Sequence, residues 1–210
     1  MNTLRVIEVF DSLQGEGVWA GTPMTFVRLA GCNAADLDLG CLAWCDTPEA
    51  WDCTAGESRD VARLAVSVGL PRVSLTGGEP LLQGLPVAEF VSHLHRTGKK
   101  VHLETNGTLE PVCDCDWVVV SPKPPGYAVT DGWLGRIDEL KFVVGSDFDA
   151  NIVERKATQH PEAIVCLQPQ GPAGSRDLPL GGPVELAISL VMAHPTWRLS
   201  LQTHKLLGVR

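Results

Sequence analysis

No excess of positive charge, no membrane-length apolar run and no even set of cysteines is found in this chain of 210 residues. A formal net charge of −8 and a pI near 5.2 give no broad attraction to nucleic-acid phosphates or to an anionic membrane surface, so neither is an expected partner. The opening residues, Met1 to Arg5, lack the apolar core and cleavage site of a signal peptide. A cytoplasmic location is therefore expected. In a reducing compartment, seven cysteines point to thiolate chemistry in some of them rather than to a disulfide framework. Internal repeats, low-complexity segments and long linkers are also missing. Residues 1–210 read as one domain, with 44% hydrophobic residues available for its core.

What is present is an alternation. Short β-rich runs occur at Leu4–Phe10, Met24–Leu29, Val73–Leu75, Val101–Glu104, Trp117–Val120, Glu139–Val144, Ile164–Leu167 and Trp197–Leu201. Helical patterns at Arg59–Ser67, Val87–Arg96 and Val184–Ala193 fall between several of them. This order predicts an α/β fold with a largely parallel sheet. A complete eightfold barrel needs about 250 residues, so the expected form is a trimmed, open (β/α) partial barrel.

Reactive groups in such sheets gather where strands end. Four motifs occupy such positions: the cysteine group after Met24–Leu29, Thr76-Gly77-Gly78-Glu79-Pro80, Glu104-Thr105-Asn106-Gly107, and Ser121-Pro122-Lys123. A parallel sheet would bring all four onto one rim. Cys32, Cys41 and Cys45 can bind three irons of a cubane cluster and leave the fourth iron open. The same cysteines, completed by Cys53, also suit a zinc site on spacing alone. Gly77 and Gly78 let backbone approach a ligand closely and leave carbonyls to accept from an ammonium; an ordinary strand-to-helix turn is the plainer reading.

The chain resembles the radical S-adenosylmethionine (SAM) superfamily in its three-cysteine loop and Gly-Gly-Glu-Pro segment. Within that superfamily it resembles the 7-carboxy-7-deazaguanine synthase family. The segments that carry this likeness are Leu13–Gly17, Phe26–Asn33, Trp44–Thr47, Thr76–Pro80, Glu104–Gly107, Ser121–Lys123, Gln168-Pro169 and Leu199–Lys205. Radical SAM proteins usually separate the later two cysteines by two residues, whereas here three separate Cys41 from Cys45 and eight separate Cys32 from Cys41. Flanking residues fix the register of Cys32 and Cys45; Cys41 is the assigned second ligand and Cys53 the reserve.

The resemblance implies a radical SAM carbon–nitrogen lyase of queuosine precursor biosynthesis. Its substrate would be 6-carboxy-5,6,7,8-tetrahydropterin and its product 7-carboxy-7-deazaguanine, with loss of ammonia. It further implies a [4Fe–4S] cluster, SAM, Mg²⁺, a homodimer, and an electron donor such as flavodoxin or ferredoxin. Six tryptophans are compatible with an aromatic dimer interface. Carried onto this sequence, Cys32, Cys41 and Cys45 hold the cluster and Thr47 supplies a hard oxygen to Mg²⁺. Thr47 could also cap the turn before Pro48. Trp44, Asp46, Gly78, Ser121, Pro122, Lys123, Gln168, Pro169 and Gln170 contact SAM or its surroundings. Leu13, Gln14, Gly15, Arg28, Thr76 and Arg210 contact the substrate, Arg28 through a bidentate guanidinium grip on its carboxylate and Arg210 through the terminal carboxylate. Glu79 assists at the cofactor or caps the next helix, while Glu104 and Asn106 bind cofactor or form a turn. His93, His95 and His194 read as packing or surface residues. Cys113 and Cys115 have no partner histidines in sequence. Two rivals stay open at this level: a glycyl-radical-enzyme activase, and a zinc-stabilised, non-catalytic binding domain.

Overall fold

A computed structural model describes residues 2–171 and 181–210. Those residues form nine strands in one sheet: β1 (Thr3–Leu13), β2 (Pro23–Leu29), β3 (Glu57–Asp60), β4 (Arg72–Gly77), β5 (Lys100–Thr105), β6 (Trp117–Val120), β7 (Glu139–Val144), β8 (Ile164–Pro169) and β9 (Arg198–Leu199). The spatial order is β3-β1-β2-β4-β5-β6-β7-β8-β9. From β2 to β9 every pairing is parallel, and β1 runs antiparallel to both β2 and β3. The ends of that order do not pair, so the sheet curves without closing, as the expected open partial barrel requires.

Alternation along each strand sorts side chains onto two faces. Val73 and Leu75, Val101 and Leu103, Leu140 and Phe142, and Val165 and Leu167 join one apolar cluster on the outer face. Helices α1 (Val61–Ser67), α2 (Leu85–Arg96), α3 (Ala150–Gln159) and α4 (Pro183–Ala193) supply part of that cluster through Leu64, Phe90, Val153 and Ala187. The inner face is polar. In β4, β5 and β7 it presents Ser74, His102, Glu104, Glu139 and Lys141, and four of these five are at most 5% exposed. Ser74 pairs in register with His102, and Arg28 with Thr76, which places same-facing polar residues side by side.

Several boundaries differ from the sequence expectation. Arg59 and Asp60 end β3 rather than opening a helix, because Asp60 accepts from the Arg63 amide and caps α1. α3 and a short C-terminal helix, α5 (Thr203–Leu207), were not signalled by the apolar pattern; only Val153 of α3 is buried. The run Trp197–Leu201 contracts to the two residues of β9. No α-helix lies between β5 and β6 or between β6 and β7, among residues that are all described, and neither connection carries a helical pattern. There the outer face is covered by extended chain and a 3-10 turn at Asp131–Trp133.

Trp133 anchors that cover. It is 1% exposed within the apolar cluster, and its indole N–H donates to the Leu109 carbonyl at 2.8 Å, joining the two helix-free connections. Trp133→Ala is expected to cost about 3–5 kcal/mol in urea unfolding, and Trp133→Phe about 1–2 kcal/mol. A loss below about 1 kcal/mol for the alanine variant would show that these connections are held by something else.

Candidate active site

Thirty-odd residues of the inner face and its upper rim enclose a cavity of about 500 Å³. Cys32, Cys41 and Cys45 all line it. The loop that carries them follows β2 and is held by three backbone bonds. The Gly31 amide donates to the Ala50 carbonyl at 2.8 Å, Cys32 to Trp51 at 3.2 Å, and Gly40 to Pro124 beyond β6 at 2.8 Å. The long interval after Cys32 is taken up by turns and then by a 3-10 helix, Gly40–Ala43, which buries Cys41 and delivers Cys45 just past its end. The unusual cysteine spacing is thus absorbed locally. Cys53 is exposed and does not face the cavity.

Burial raises the Cys32 and Cys41 thiols above their ordinary range, so loading a metal centre there must displace protons. Among the described residues, no three His, Cys, Asp or Glu side chains gather as the ligands of a single ion would. Three thiols spread around a roomy cavity fit a multi-iron cubane better than one tetrahedral zinc. The Trp51 indole N–H donates to Cys45 Sγ at 3.4 Å, which suits a sulfur that carries ligand charge. Trp51 was not signalled in the sequence.

Gly78 lines the cavity, but its lack of a side chain is demanded first by protein. A Cβ there would stand 2.3 Å from the Gly31 carbonyl oxygen and 2.7 Å from Cys32 Cβ. The Gly-Gly turn and the cysteine loop are fitted to each other. Glu79 is fully buried behind them, accepting from the Leu81 and Asn106 amides at 3.1 and 2.7 Å and from Thr105 Oγ1 at 2.9 Å. It is therefore a cap and rim anchor, and burial raises its carboxyl. Asn106 lines the cavity and donates to Asn33 Oδ1 at 2.9 Å, so the Asn-Gly turn also ties β5 to the cysteine loop.

Trp44, Asp46, Thr47, Thr76, Ser121, Lys123, Gln168, Pro169 and Gln170 all face the cavity, as do Leu13, Gln14, Gly15, Arg28 and Arg210. Pro122 alone of the expected contacts is buried behind the lining. The Thr47 hydroxyl makes no capping bond and lies 3.6 Å from Cys45 Sγ. Lys123 Nζ donates to Ser121 Oγ at 2.7 Å beside the Trp44 ring, and burial lowers its ammonium pKa. Arg28 Nε donates to Glu8 at 2.8 Å; the Arg210 guanidinium also pairs with Glu8 and stacks on Phe10.

A buried charge network that sequence reasoning missed forms the cavity wall. Lys141 Nζ donates to Glu16 at 2.5 Å and to Glu104 at 3.3 Å, and Gln14 donates to the other Glu104 oxygen at 2.9 Å. Gln202 links Glu16 to Asp46, which also accepts from Lys205 at 2.7 Å. Burial works against Glu104 ionisation, yet Lys141 overcomes it and holds the carboxyl at about 2. Burial likewise opposes the Lys141 charge, and the surrounding carboxylates raise its pKa all the same. The signal was in β7: a Glu and a Lys at alternate positions of an otherwise apolar strand both point to the inner face.

No protein-family model matches the chain. Among curated proteins it is 35% identical over 210 residues to a 7-carboxy-7-deazaguanine synthase of Synechocystis sp., covering 98% of this chain and 93% of that one. It is 38% identical over 206 residues to the protein of the same name from Bacteroides thetaiotaomicron, covering 98% of each. Among solved structures it matches the crystal structure of QueE from Escherichia coli with a TM-score of 0.74 and 30% identity, over 95% of this chain and 93% of that one.

Below the charge network, burial pushes the His102 imidazole down to about 4. An unfolded chain takes up that proton near pH 6.5, whereas the folded chain refuses it until about pH 4, so stability falls as pH drops through that window. One such group accounts for roughly 3 kcal/mol at most. Burial also lowers His160 and His204, which add to the same slope. Urea unfolding at pH 7 and pH 4.5 is expected to show a smaller pH effect in His102→Gln than in the parent. An unchanged pH effect would mean that His102 takes up its proton at the same pH in the folded and the unfolded chain.

Proposed function

This chain belongs to the 7-carboxy-7-deazaguanine synthase family, and from that premise we propose that it converts 6-carboxy-5,6,7,8-tetrahydropterin to 7-carboxy-7-deazaguanine, releasing ammonia, as a radical SAM lyase of queuosine precursor biosynthesis. The observation that carries this reading is the meeting of three cysteine thiols and the other three strand-end motifs around one cavity, in a chain that its relatives match from end to end. Among the described residues no helix is long and apolar enough to cross a membrane. A glycyl-radical-enzyme activase and a zinc-stabilised binding domain both leave the Leu13–Gly17 loop and Arg28 without a purpose in the cavity wall.

Cys32, Cys41 and Cys45 would hold the [4Fe–4S] cluster, with Trp51 donating to one of its sulfur ligands. When bound, the cluster and SAM together supply a 5′-deoxyadenosyl radical that takes a hydrogen atom from the substrate. The Gly78 backbone, Trp44, Asp46, Ser121, Lys123 and the Gln168–Gln170 strand end would surround SAM. Pro122 would shape that wall from behind.

The remaining cavity wall suits the pterin. Arg28 spends Nε on Glu8, and its two terminal nitrogens form the fork that a substrate carboxylate fits. Ionised Glu104 and Glu16 are acceptors for the N–H edge of the heterocycle, with Gln14, Gly15 and Leu13 beside them. Thr76 and Arg210 would complete the pocket. Lys141 fixes both carboxylates before substrate arrives, so little reorganisation remains for the bound state. Thr47, with a hydroxyl free of capping duty, would give Mg²⁺ one hard oxygen among substrate and water ligands. A homodimer and a flavodoxin- or ferredoxin-type electron donor complete the assembly on family grounds.

Anaerobically reconstituted protein is expected to turn the carboxy-tetrahydropterin into the deazapurine without stoichiometric loss of SAM. Stoichiometric SAM consumption with no deazapurine would refute the assignment. Cys41→Ala is expected to abolish cluster assembly and Cys53→Ala to leave it intact, as read by iron content and visible absorption. A full cluster in Cys41→Ala would transfer the ligand role to Cys53.

A further inference from the structure

Outside the cavity, one cysteine pair is left over. Cys113 and Cys115 lie on the helix-free connection from β5 to β6, and their sulfurs are 3.9 Å apart. Both are half-buried, packed against the outer apolar cluster. Asp114 between them is exposed at the apex of the turn. The turn is pinned on both sides. Arg136 donates to the Cys113 carbonyl at 3.2 Å and pairs with Asp114. The neighbouring Asp116 accepts from the Val101 amide at 2.9 Å, from Lys100 at 2.7 Å and, at 2.9 Å, contacts His95.

We propose that Cys113 and Cys115 form a reversible dithiol–disulfide site that exchanges with low-molecular-weight disulfides of the glutathione type. The two thiols have different surroundings. Either sulfur can donate to the other, but the Arg136 guanidinium is held at the Cys113 carbonyl and favours a thiolate on Cys113. Cys113 is thus taken as the attacking sulfur. Its thiolate displaces one glutathione thiolate and forms a mixed disulfide. Cys115 then loses its proton to solvent and attacks the Cys113 sulfur, releasing the second glutathione thiolate. Two protein thiols are oxidised to one disulfide, and one glutathione disulfide is reduced to two thiols.

The site has a line to the cluster loop. The connection that bears the pair starts at Asn106 and Thr108, and both hydrogen-bond Asn33, the residue after Cys32, at 2.9 Å. Closing the pair into a disulfide stiffens the far end of that same connection.

Anaerobic holoenzyme is to be equilibrated with graded mixtures of reduced and oxidised glutathione, quenched by alkylation and digested, with cluster absorption followed in parallel. The peptide bearing both cysteines is expected to lose two hydrogens and take no alkyl group as the oxidised fraction rises, and to recover with dithiothreitol. Cys115→Ser is expected to trap a glutathione adduct on Cys113, whereas Cys113→Ser leaves Cys115 mostly alkylated. Both variants should retain full cluster absorption and turnover, since neither residue faces the cavity. A peptide alkylated at both thiols across the whole range, or oxidised only once urea has unfolded the chain, would overturn the proposal.

Discussion

The inner face of this sheet depends on one buried ammonium. Lys141 is 5% exposed, and without carboxylates in contact its charge would not be tolerated there. Glu16 and Glu104 meet that demand from opposite directions, one from the loop after β1 and the other from the end of β5. Each carboxylate is in turn engaged by a glutamine. A single charge requirement therefore fixes the positions of a loop, two strands and the C-terminal segment around the same cavity. Replacing such a set by apolar residues could give an equally stable protein. It would not give a wall of ionised acceptors, which is the property a nitrogen-rich heterocycle can use.

A second constraint is the close approach of backbone to backbone at the rim. The sequence reading credited Gly77 and Gly78 with making room for a ligand. The structure adds that Gly78 also makes room for the cysteine loop, whose carbonyl oxygens at Gly31 and Ala50 occupy the space a Cβ would need. Any side chain there would push the loop away from β4. The glycines thus serve the position of the thiols as well as access to the cavity.

The rim was legible because its chemistry is local. Cysteines, paired glycines and Ser-Pro-Lys at strand ends are short strings, and parallel strand order brings them together without further information. The fold class was legible from the same alternation. The wall below the rim was only half legible. Glu139-Leu140-Lys141-Phe142 displays the inward polar row by its period of two, but nothing near Lys141 names Glu16, which lies 125 residues away. The connections flanking β6 carry no helical pattern and form no helix; Trp133 and extended chain cover the sheet there, and a buried tryptophan inside a turn has no periodic signature. α3 escaped because one buried valine makes too thin an apolar stripe.

The Asp46 junction has a consequence for the order of assembly. Asp46 adjoins Cys45, yet its partners Gln202 and Lys205 stand at the far end of the chain. During synthesis the three thiols leave the ribosome about 150 residues ahead of the segment that latches across their loop. A nascent chain therefore holds those thiols before the residues that latch across their loop have been made. Synthesis of the thiols and synthesis of the residues that close over their loop are separated in time by the position of Gln202 and Lys205 in the sequence.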